Sequence, residues 1–335
     1  MQQTDQIVVC GAGGFIGGAL VAELRQRGFP RIRAVDRKPM AGWYQRFHDV
    51  ENLVLDLQYR DNCYTALQGA DVCLNLAADM GGMGFIEMNK ALCMLSVLIN
   101  THLLEAARDI GVTRYFFASS ACVYAGYRQN ENDIPGLKEI DAYPADPEDG
   151  YGWEKLFSER MCRHFQEDFG IDCRIARFHN VYGPYGTFDG GREKAPAAIC
   201  RKVINAQRSG DPTIEIWGDG EQTRSFMYID DCVEGVLRLM DSTVREPINL
   251  GSDEMVSVND LVSLVEDIAG TRLERRYNLG APKGVRGRSS DNSMITRELG
   301  WAPSIPLRTG LERTFAWIEQ EIRASTTVSS MVNRP

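Results

Sequence analysis

Tyr151 and Lys155 stand four residues apart in Tyr151-Gly-Trp-Glu-Lys155, so a helix there would put a phenol and an ammonium on one face. A tyrosine is a poor base at its ordinary pKa of about 10, but a neighbouring cation favours the phenolate. That pairing suits reactions in which a hydroxyl loses its proton while hydride leaves the same carbon. Upstream, an apolar run ends on Ser119-Ser120, and the Ser120 hydroxyl could hold the reacting oxygen. A Tyr-x-x-x-Lys pair alone is usually an exposed helix pair, so its meaning depends on what accompanies it.

The company is a glycine-rich turn, Gly11-Ala-Gly13-Gly14-Phe15-Ile16-Gly17, between the apolar run Ile7–Cys10 and a stretch with helical spacing at Ile16, Leu20, Val21 and Leu24. Glycine permits the tight turn and lets main chain approach a pyrophosphate, while the helix N-terminus supplies free N–H donors. Asp36 closes the next extended run 19 residues past Gly17, where a carboxylate can accept from ribose hydroxyls and repel a 2′-phosphate. That favours NAD over NADP, although Arg37 and Lys38 could offset part of the repulsion. Asp56-Leu57 is a candidate adenine contact or an ordinary strand end.

The elements that must position these groups alternate. Strand-like runs at Ile7–Cys10, Arg31–Val35, Asn52–Leu55, Val72–Leu76, Arg114–Ser119 and Asp172–Phe178 are separated by helical segments at Phe15–Arg27, Cys63–Leu67, Asn89–Asp109 and Gly152–Phe169. Such β-α repetition predicts an α/β fold of the Rossmann type, a doubly wound parallel sheet covered on both faces. It is assigned to residues 7–182. After about Tyr182 the texture becomes richer in Gly, Pro and charge. Helices are expected at Ala195–Ala206, Asp230–Met240, Val258–Ala269 and Leu307–Ile322, with a strand at Thr213–Trp217. This is read as a smaller mixed α/β C-terminal substrate domain over residues 183–322, with Pro247–Leu250 able to rejoin the sheet. Residues 323–335 are expected to be a flexible tail.

Together the glycine pattern, Ser120, Tyr151 and Lys155 resemble the extended short-chain dehydrogenase/reductases that act on nucleotide sugars. Arg177-Phe-His-Asn180-Val-Tyr-Gly-Pro184 is similar to their substrate-loop entry, and Arg288-Ser-Ser-Asp291 to their C-terminal phosphate-binding stretch. Longer runs narrow the resemblance to the GDP-mannose 3,5-epimerases: Ala77–Phe85, Ala118–Tyr124, Gly190–Ala198, Trp217–Phe226 and Gly284–Asn292.

That resemblance implies a reaction without net redox, from GDP-D-mannose to GDP-L-galactose, with GDP-L-gulose as an alternative product. Transient oxidation at C4 by bound NAD activates the flanking C–H bonds. Tyr151 is the base at O4, assisted by Ser120 and Lys155, and Cys122 and Lys194 are the acid/base pair that inverts C3 and C5. A thiol of pKa about 8.5 can serve near neutrality if a cation helps. The same resemblance makes Gly81, Ala121, Asn180, Glu193, Ala195, Lys202, Gln222 and Arg224 sugar-nucleotide contacts. Arg288 is the leading pyrophosphate ligand, since a guanidinium suits bidentate phosphate contacts, and Arg286 could exchange roles with it. The pair Gly81-Gly82 suits close backbone approach to the hexose, and Glu193 could bind sugar hydroxyls or cap the helix at Ala195. Ser96 and Asn100 depart from the Asn and Thr many relatives carry.

A simple C4-epimerase would need no Cys122/Lys194 pair, and a 4,6-dehydratase usually carries an acid pair where Ala121-Cys122 stands. A non-catalytic dinucleotide-sensing protein would tend to lose Tyr151 or Lys155. The 335 residues are 44% hydrophobic and 25% charged with a net charge of −9, a soluble composition that disfavours nucleic-acid binding. The nine cysteines form no Cys-x-x-Cys pair and only four histidines occur, so neither a metal site nor a disulfide framework is expected. With no signal-like N-terminus and no expected membrane span, the reading is a cytoplasmic protein, expected to form a homodimer through the surfaces of Ala91–Leu104 and Leu156–Phe165.

Overall fold

The computed structural model describes residues 1–332, with side chains described as far as residue 325. Seven strands form one parallel sheet. In chain order the first six are β1 (Ile7–Cys10), β2 (Ile32–Asp36), β3 (Glu51–Val54), β4 (Val72–Asn75), β5 (Arg114–Ser120) and β6 (Asp172–Phe178). The seventh, Ile248–Leu250, pairs with β6, so the spatial order is Ile248–Leu250, β6, β5, β4, β1, β2, β3. Strand order reverses between β1 and β4, and ligands of such sheets bind in the crevice at that point. The chain returns to the sheet at Ile248–Leu250 because all three residues are buried there, which makes the division of the chain at residue 182 one of texture rather than of packing.

The covering helices are α1 (Phe15–Gln26), α2 (Arg60–Leu67), α3 (Met83–Met88), α4 (Lys90–Met94), α5 (Ser96–Ile110), α6 (Tyr151–Phe169), α7 (Ala195–Ser209), α8 (Ile229–Asp241), α9 (Val258–Ala269), α10 (Ser293–Leu299) and α11 (Leu307–Val332). The expected single helix Asn89–Asp109 breaks at Leu95, and α3 precedes it. Lys90–Ile110 is long and apolar enough by composition to cross a membrane, although no such stretch is expected from the sequence. Within the fold it contributes Ile99, Leu103, Leu104, Ala106 and Ala107 to the core on one face of the sheet. The tail expected from residue 323 is helical to Val332 in continuation of α11; residues 333–335 lie outside the described residues.

One core layer joins α1, α7, α8, α9 and α11 to one sheet face, and a second joins α2, α5 and α6 to the other. Burying both faces explains why strands such as Ile7–Cys10 are apolar without alternation. All nine cysteines are free and buried, behaving as small hydrophobes.

Candidate active site

At the C-terminal end of β1 the chain turns through Gly11 at φ +83°. A Cβ on Gly17 would lie 2.2 Å from the Gly11 carbonyl oxygen, and one on Gly11 3.0 Å from the Ala77 nitrogen. Only glycine lets α1 start this close to the strand end. Gly14 is the N-cap of α1 and carries no side-chain cap, so main-chain donors around Phe15 and Ile16 face the crevice as an anion site. Gly13 packs under the Trp43 ring. Asp36 ends β2 and accepts from the Lys38 N–H at 2.9 Å. Arg37 is committed elsewhere, to Asp79 at 2.7 Å, and the Lys38 ammonium donates to the Gly13 carbonyl at 3.0 Å. Both cations expected to offset Asp36 are thereby engaged, and the cradle fits NAD. Asp56 accepts from the Gln58 N–H at 3.0 Å, and Leu57 is buried in the core; their side chains hold the turn into α2.

Tyr151 is the first residue of α6 and is buried, and Lys155 lies one turn on with its Nζ 5.5 Å from the Tyr151 ring centroid. The Lys155 ammonium is 3.4 Å from Glu154. The sequence predicts a lowered phenol pKa. In the protein alone, burial holds the Tyr151 phenol well above its ordinary value, Cys122 and Glu154 add to this, and a hydrogen bond with Ser120 opposes it. Ser120 ends β5, and its Oγ accepts the Cys122 N–H at 3.2 Å, turning the chain into a short 3-10 turn over Ala121–Val123. Ser119, its neighbour, belongs to the scaffold: its hydroxyl donates to Glu159, which is itself paired with Arg177 at 2.7 Å.

Cys122 is buried in a small cluster with Ile86, Cys93 and Tyr151. Burial pushes its thiol up to about 12, Glu148 adding and Arg288 opposing. Lys194 is the N-cap of α7. Among the described residues its ammonium has no recorded hydrogen-bond or ion-pair partner, and burial lowers its pKa while the nearby Cys122 works the other way. The loop ahead of Lys194 is fixed to the cap of α3, the Arg192 carbonyl accepting from the Gly82 N–H at 3.0 Å, and Ile86 of α3 packs with Cys122, so segments 72 residues apart in sequence meet around α3.

The remaining expected contacts divide. Arg288 is buried; its Nε donates to Gln129 at 2.6 Å, its Nη1 to the Cys122 sulfur at 3.5 Å and its Nη2 to Glu148 at 3.2 Å. It therefore stands beside Cys122 and Glu148. Arg286, its expected substitute, pairs with Asp219 at 2.9 Å. Arg224 donates to the main-chain carbonyls of Thr223, Lys283, Val285 and Arg286; burial and the Arg288 charge lower its pKa to about 9. Gln222 donates to the Trp217 carbonyl at 2.9 Å, leaving Oε1 buried and unpartnered. Asn180 sits at φ +42° and donates to the Ser225 carbonyl at 3.0 Å.

Three more of the expected contacts have partners within the protein. Glu193 neither caps α7 nor stands free: it accepts from the Gly191 N–H at 2.7 Å and from Arg201 at 2.9 Å, fixing the loop ahead of Lys194 and Ala195. The close approach at the glycine pair is made by Gly82, where a Cβ would lie 2.4 Å from the Glu193 carbonyl oxygen, while Gly81 packs on Phe85. Lys202, on α7, donates to the Glu215 carbonyl at 2.8 Å.

Three groups escaped the sequence. Asp79 is buried and receives Arg37 at 2.7 Å and Arg192 at 2.8 Å, tying the segment after Asp36 to the loop that carries Lys194. Glu148 and Gln129 both hold Arg288. Glu148 carried one faint signal, its place three residues before Tyr151; Gln129 carried none.

Residues 7–251 match the NAD dependent epimerase/dehydratase family. The chain belongs to that family. It is 48% identical over 329 residues to GDP-mannose 3,5-epimerase 1 of Oryza sativa subsp. japonica, covering 96% of this chain and 84% of the relative. It is also 48% identical to GDP-mannose 3,5-epimerase of Arabidopsis thaliana, covering 98% and 86%. Among solved structures it is similar to UDP-glucuronic acid 4-epimerase from Bacillus cereus in complex with UDP-glucuronic acid and NAD, with a TM-score of 0.80 at 26% identity over 94% of this chain and 99% of that one. UDP-glucose 4-epimerase of Thermotoga maritima shares the fold with a TM-score of 0.84 at 23% identity, covering 94% and 99%. As an epimerase of this family the chain is an NAD-dependent isomerase.

Proposed function

We propose that the protein is a GDP-mannose 3,5-epimerase, converting GDP-D-mannose to GDP-L-galactose, with GDP-L-gulose as the product of inversion at C5 alone. What supports this reading is Cys122 packed with Tyr151, with the loop that carries Lys194 fixed to the cap of the neighbouring α3, since C4 epimerisation needs no second acid/base pair. When bound, NAD supplies reversible hydride transfer at C4, which makes the C–H bonds at C3 and C5 acidic. Tyr151 holds and moves the O4 proton, Ser120 hydrogen-bonds the phenol, and Lys155 keeps a positive charge beside it. Cys122 takes a ring proton on one face, and Lys194, whose ammonium burial has loosened, delivers one on the other.

The diphosphate finds a local basic field in a chain of net charge −9: Arg224, Arg286 and Arg288 influence one another across a few side chains. Exposed apolar side chains Met94, Leu95 and Leu98 on the α4–α5 stretch, with Trp153 and Phe157 on α6, support a homodimer through that face, which sedimentation at micromolar concentration would test. Nine unpaired cysteines fit a reducing compartment, the cytoplasm. Incubation with GDP-mannose and identification of the sugars by NMR tests the activity: GDP-L-galactose is expected, whereas a C4 epimer alone would contradict the reading.

A further inference from the structure

Glu148 reaches the active site through main chain that is fixed to the Cys122 turn. Its N–H donates to the Cys122 carbonyl at 3.0 Å, and the Asp146 carbonyl accepts from the Gly126 N–H at 2.9 Å. One turn later Gly152 packs so tightly that a Cβ would lie 2.3 Å from the Cys122 carbonyl oxygen. The Glu148 side chain is largely buried. One carboxylate oxygen receives Arg288 at 3.2 Å; the other is buried with no hydrogen-bond partner. Arg288 at the same time donates to the Cys122 sulfur at 3.5 Å. A buried acceptor without a donor is costly, and the thiol beside it is a donor whose proton must leave before the sulfur can act as a base.

Double inversion sharpens that need. After Cys122 has taken one ring proton it is a thiol again, and it must be cleared before it can take another. We propose that Glu148 is the proton acceptor for Cys122, with Arg288 holding sulfur and carboxylate together, so that the base is reset between the two carbons. This rests on the 3,5-epimerase reading. In the step itself the S–H bond breaks, its electron pair stays on sulfur, and the proton forms an O–H bond on Glu148. The thiolate pair then forms a new S–H bond with the ring proton as the C–H bond breaks, the carbon's electrons passing into the enolate, and Glu148 gives its proton up to solvent when the nucleotide sugar leaves, restoring the carboxylate for the next turnover. Glu148 does not touch the sugar; it acts through Cys122.

The transfer moves a proton inside the pair and leaves its total charge unchanged, so exchange through Cys122 is expected to be nearly flat across neutral pH. The charged or titratable groups facing the pair are Arg288 and Arg224 from the C-terminal strands, Lys194 from the start of α7, Tyr151 from α6 and Cys93 from α4. In Glu148→Gln the proton must leave to solvent. Exchange would then climb with pH about tenfold per unit below the thiol pKa, as simple ionisation requires.

The experiment measures solvent-deuterium entry at C3 and C5 of GDP-mannose from pH 6 to 9.5, for wild type, Glu148→Gln and Glu148→Asp. The expected result is a loss of about 10²-fold or more at pH 7 in the glutamine variant, within the range for a lost proton acceptor. The loss should shrink as pH rises, and Glu148→Asp should recover part of it. An equal loss at every pH means a merely structural role and overturns the proposal, as does an unchanged rate at pH 7. A second arm needs no turnover: iodoacetamide labelling of Cys122 against pH, read by peptide mass with Cys122→Ala as the blank. Removing the carboxylate charge should move labelling to lower pH by a unit or more, and an unmoved profile overturns the coupling. Wild type that makes no product from GDP-mannose would instead refute the 3,5-epimerase reading, while the labelling arm still decides whether thiol and carboxylate are linked.

Discussion

At one end of the cleft the binding surface is main chain: Gly11, Gly14 and Gly17 bring a helix N-terminus onto a strand end, and one side chain, Asp36, completes it within 26 consecutive residues. At the other end it is side chains, drawn from five separated stretches: Ser120 with Cys122, Glu148 with Tyr151, Lys194, Arg224 and Arg288. A dinucleotide demands the same close approach in every member of the fold, which backbone geometry supplies. Inverting two carbons of a hexose demands proton donors and acceptors on opposite faces, and only side chains from different elements can surround a ring. The cofactor end should therefore fail sterically when altered, and the sugar end chemically, one proton transfer at a time.

Cys122→Ala should show the largest effect on the chemical side. Deuterium entry at C3 and C5 should fall by about 10²–10⁴-fold, the range for a lost acid/base group, while transient NADH absorbance with GDP-mannose persists. Retained exchange would show that the sulfur is not the base. On the steric side, Gly17→Ala places a methyl 2.2 Å from the Gly11 carbonyl oxygen, and such overpacking costs about 1–3 kcal/mol. NAD affinity should drop by at least tenfold, measured by calorimetry, and an unchanged affinity would remove the cradle argument.

Arg192→Ala probes the bridge between the two ends. Asp79 would keep Arg37 and lose the contact at 2.8 Å to the loop of Lys194. Leaving a buried charged group part-satisfied costs about 1–3 kcal/mol, so the KM for the sugar nucleotide should rise several-fold with NAD affinity nearly unchanged. Equal losses at both ends would mean the two regions are one unit.

The smallest effect concerns stability against pH. Burial pushes Cys122 and Cys200 up to about 12, and Cys63 and Cys232 higher, whereas an unfolded thiol titrates near 8.5. Above that value the unfolded chain holds fewer protons than the folded one. Stability is then fully present below about pH 8.5 and falls as pH rises toward 12. Melting temperature followed from pH 8 to 11 should decline steadily; a flat profile would contradict the assignment.

The contrast also explains what could be read from the sequence. The six leading strands and most helices are legible because a sheet buried on both faces needs uninterrupted apolar runs, and the cradle because its residues are neighbours in the chain. Short strands such as Thr223–Ser225 and Gly287–Arg288 were not legible, since two or three residues carry no period. Cys122 and Lys194 were found by resemblance, not by spacing. Arg288 is legible as a guanidinium suited to phosphate, but its contacts with Gln129, Glu148 and the Cys122 sulfur are not, because they lie 140 to 166 residues away. The partners of Glu193 and Lys202, Arg201 and the Glu215 carbonyl, were equally out of reach, since neither pairing follows from a motif.

The central claim is that a thiol and an ammonium on opposite faces exchange ring protons after oxidation at C4. Wild-type protein loaded with NAD, incubated with GDP-mannose in deuterium oxide and followed by NMR, measures it directly. Deuterium at both C3 and C5 of the recovered sugars, with none at C4, is the predicted result. Epimerised product carrying no solvent deuterium at either carbon would contradict it.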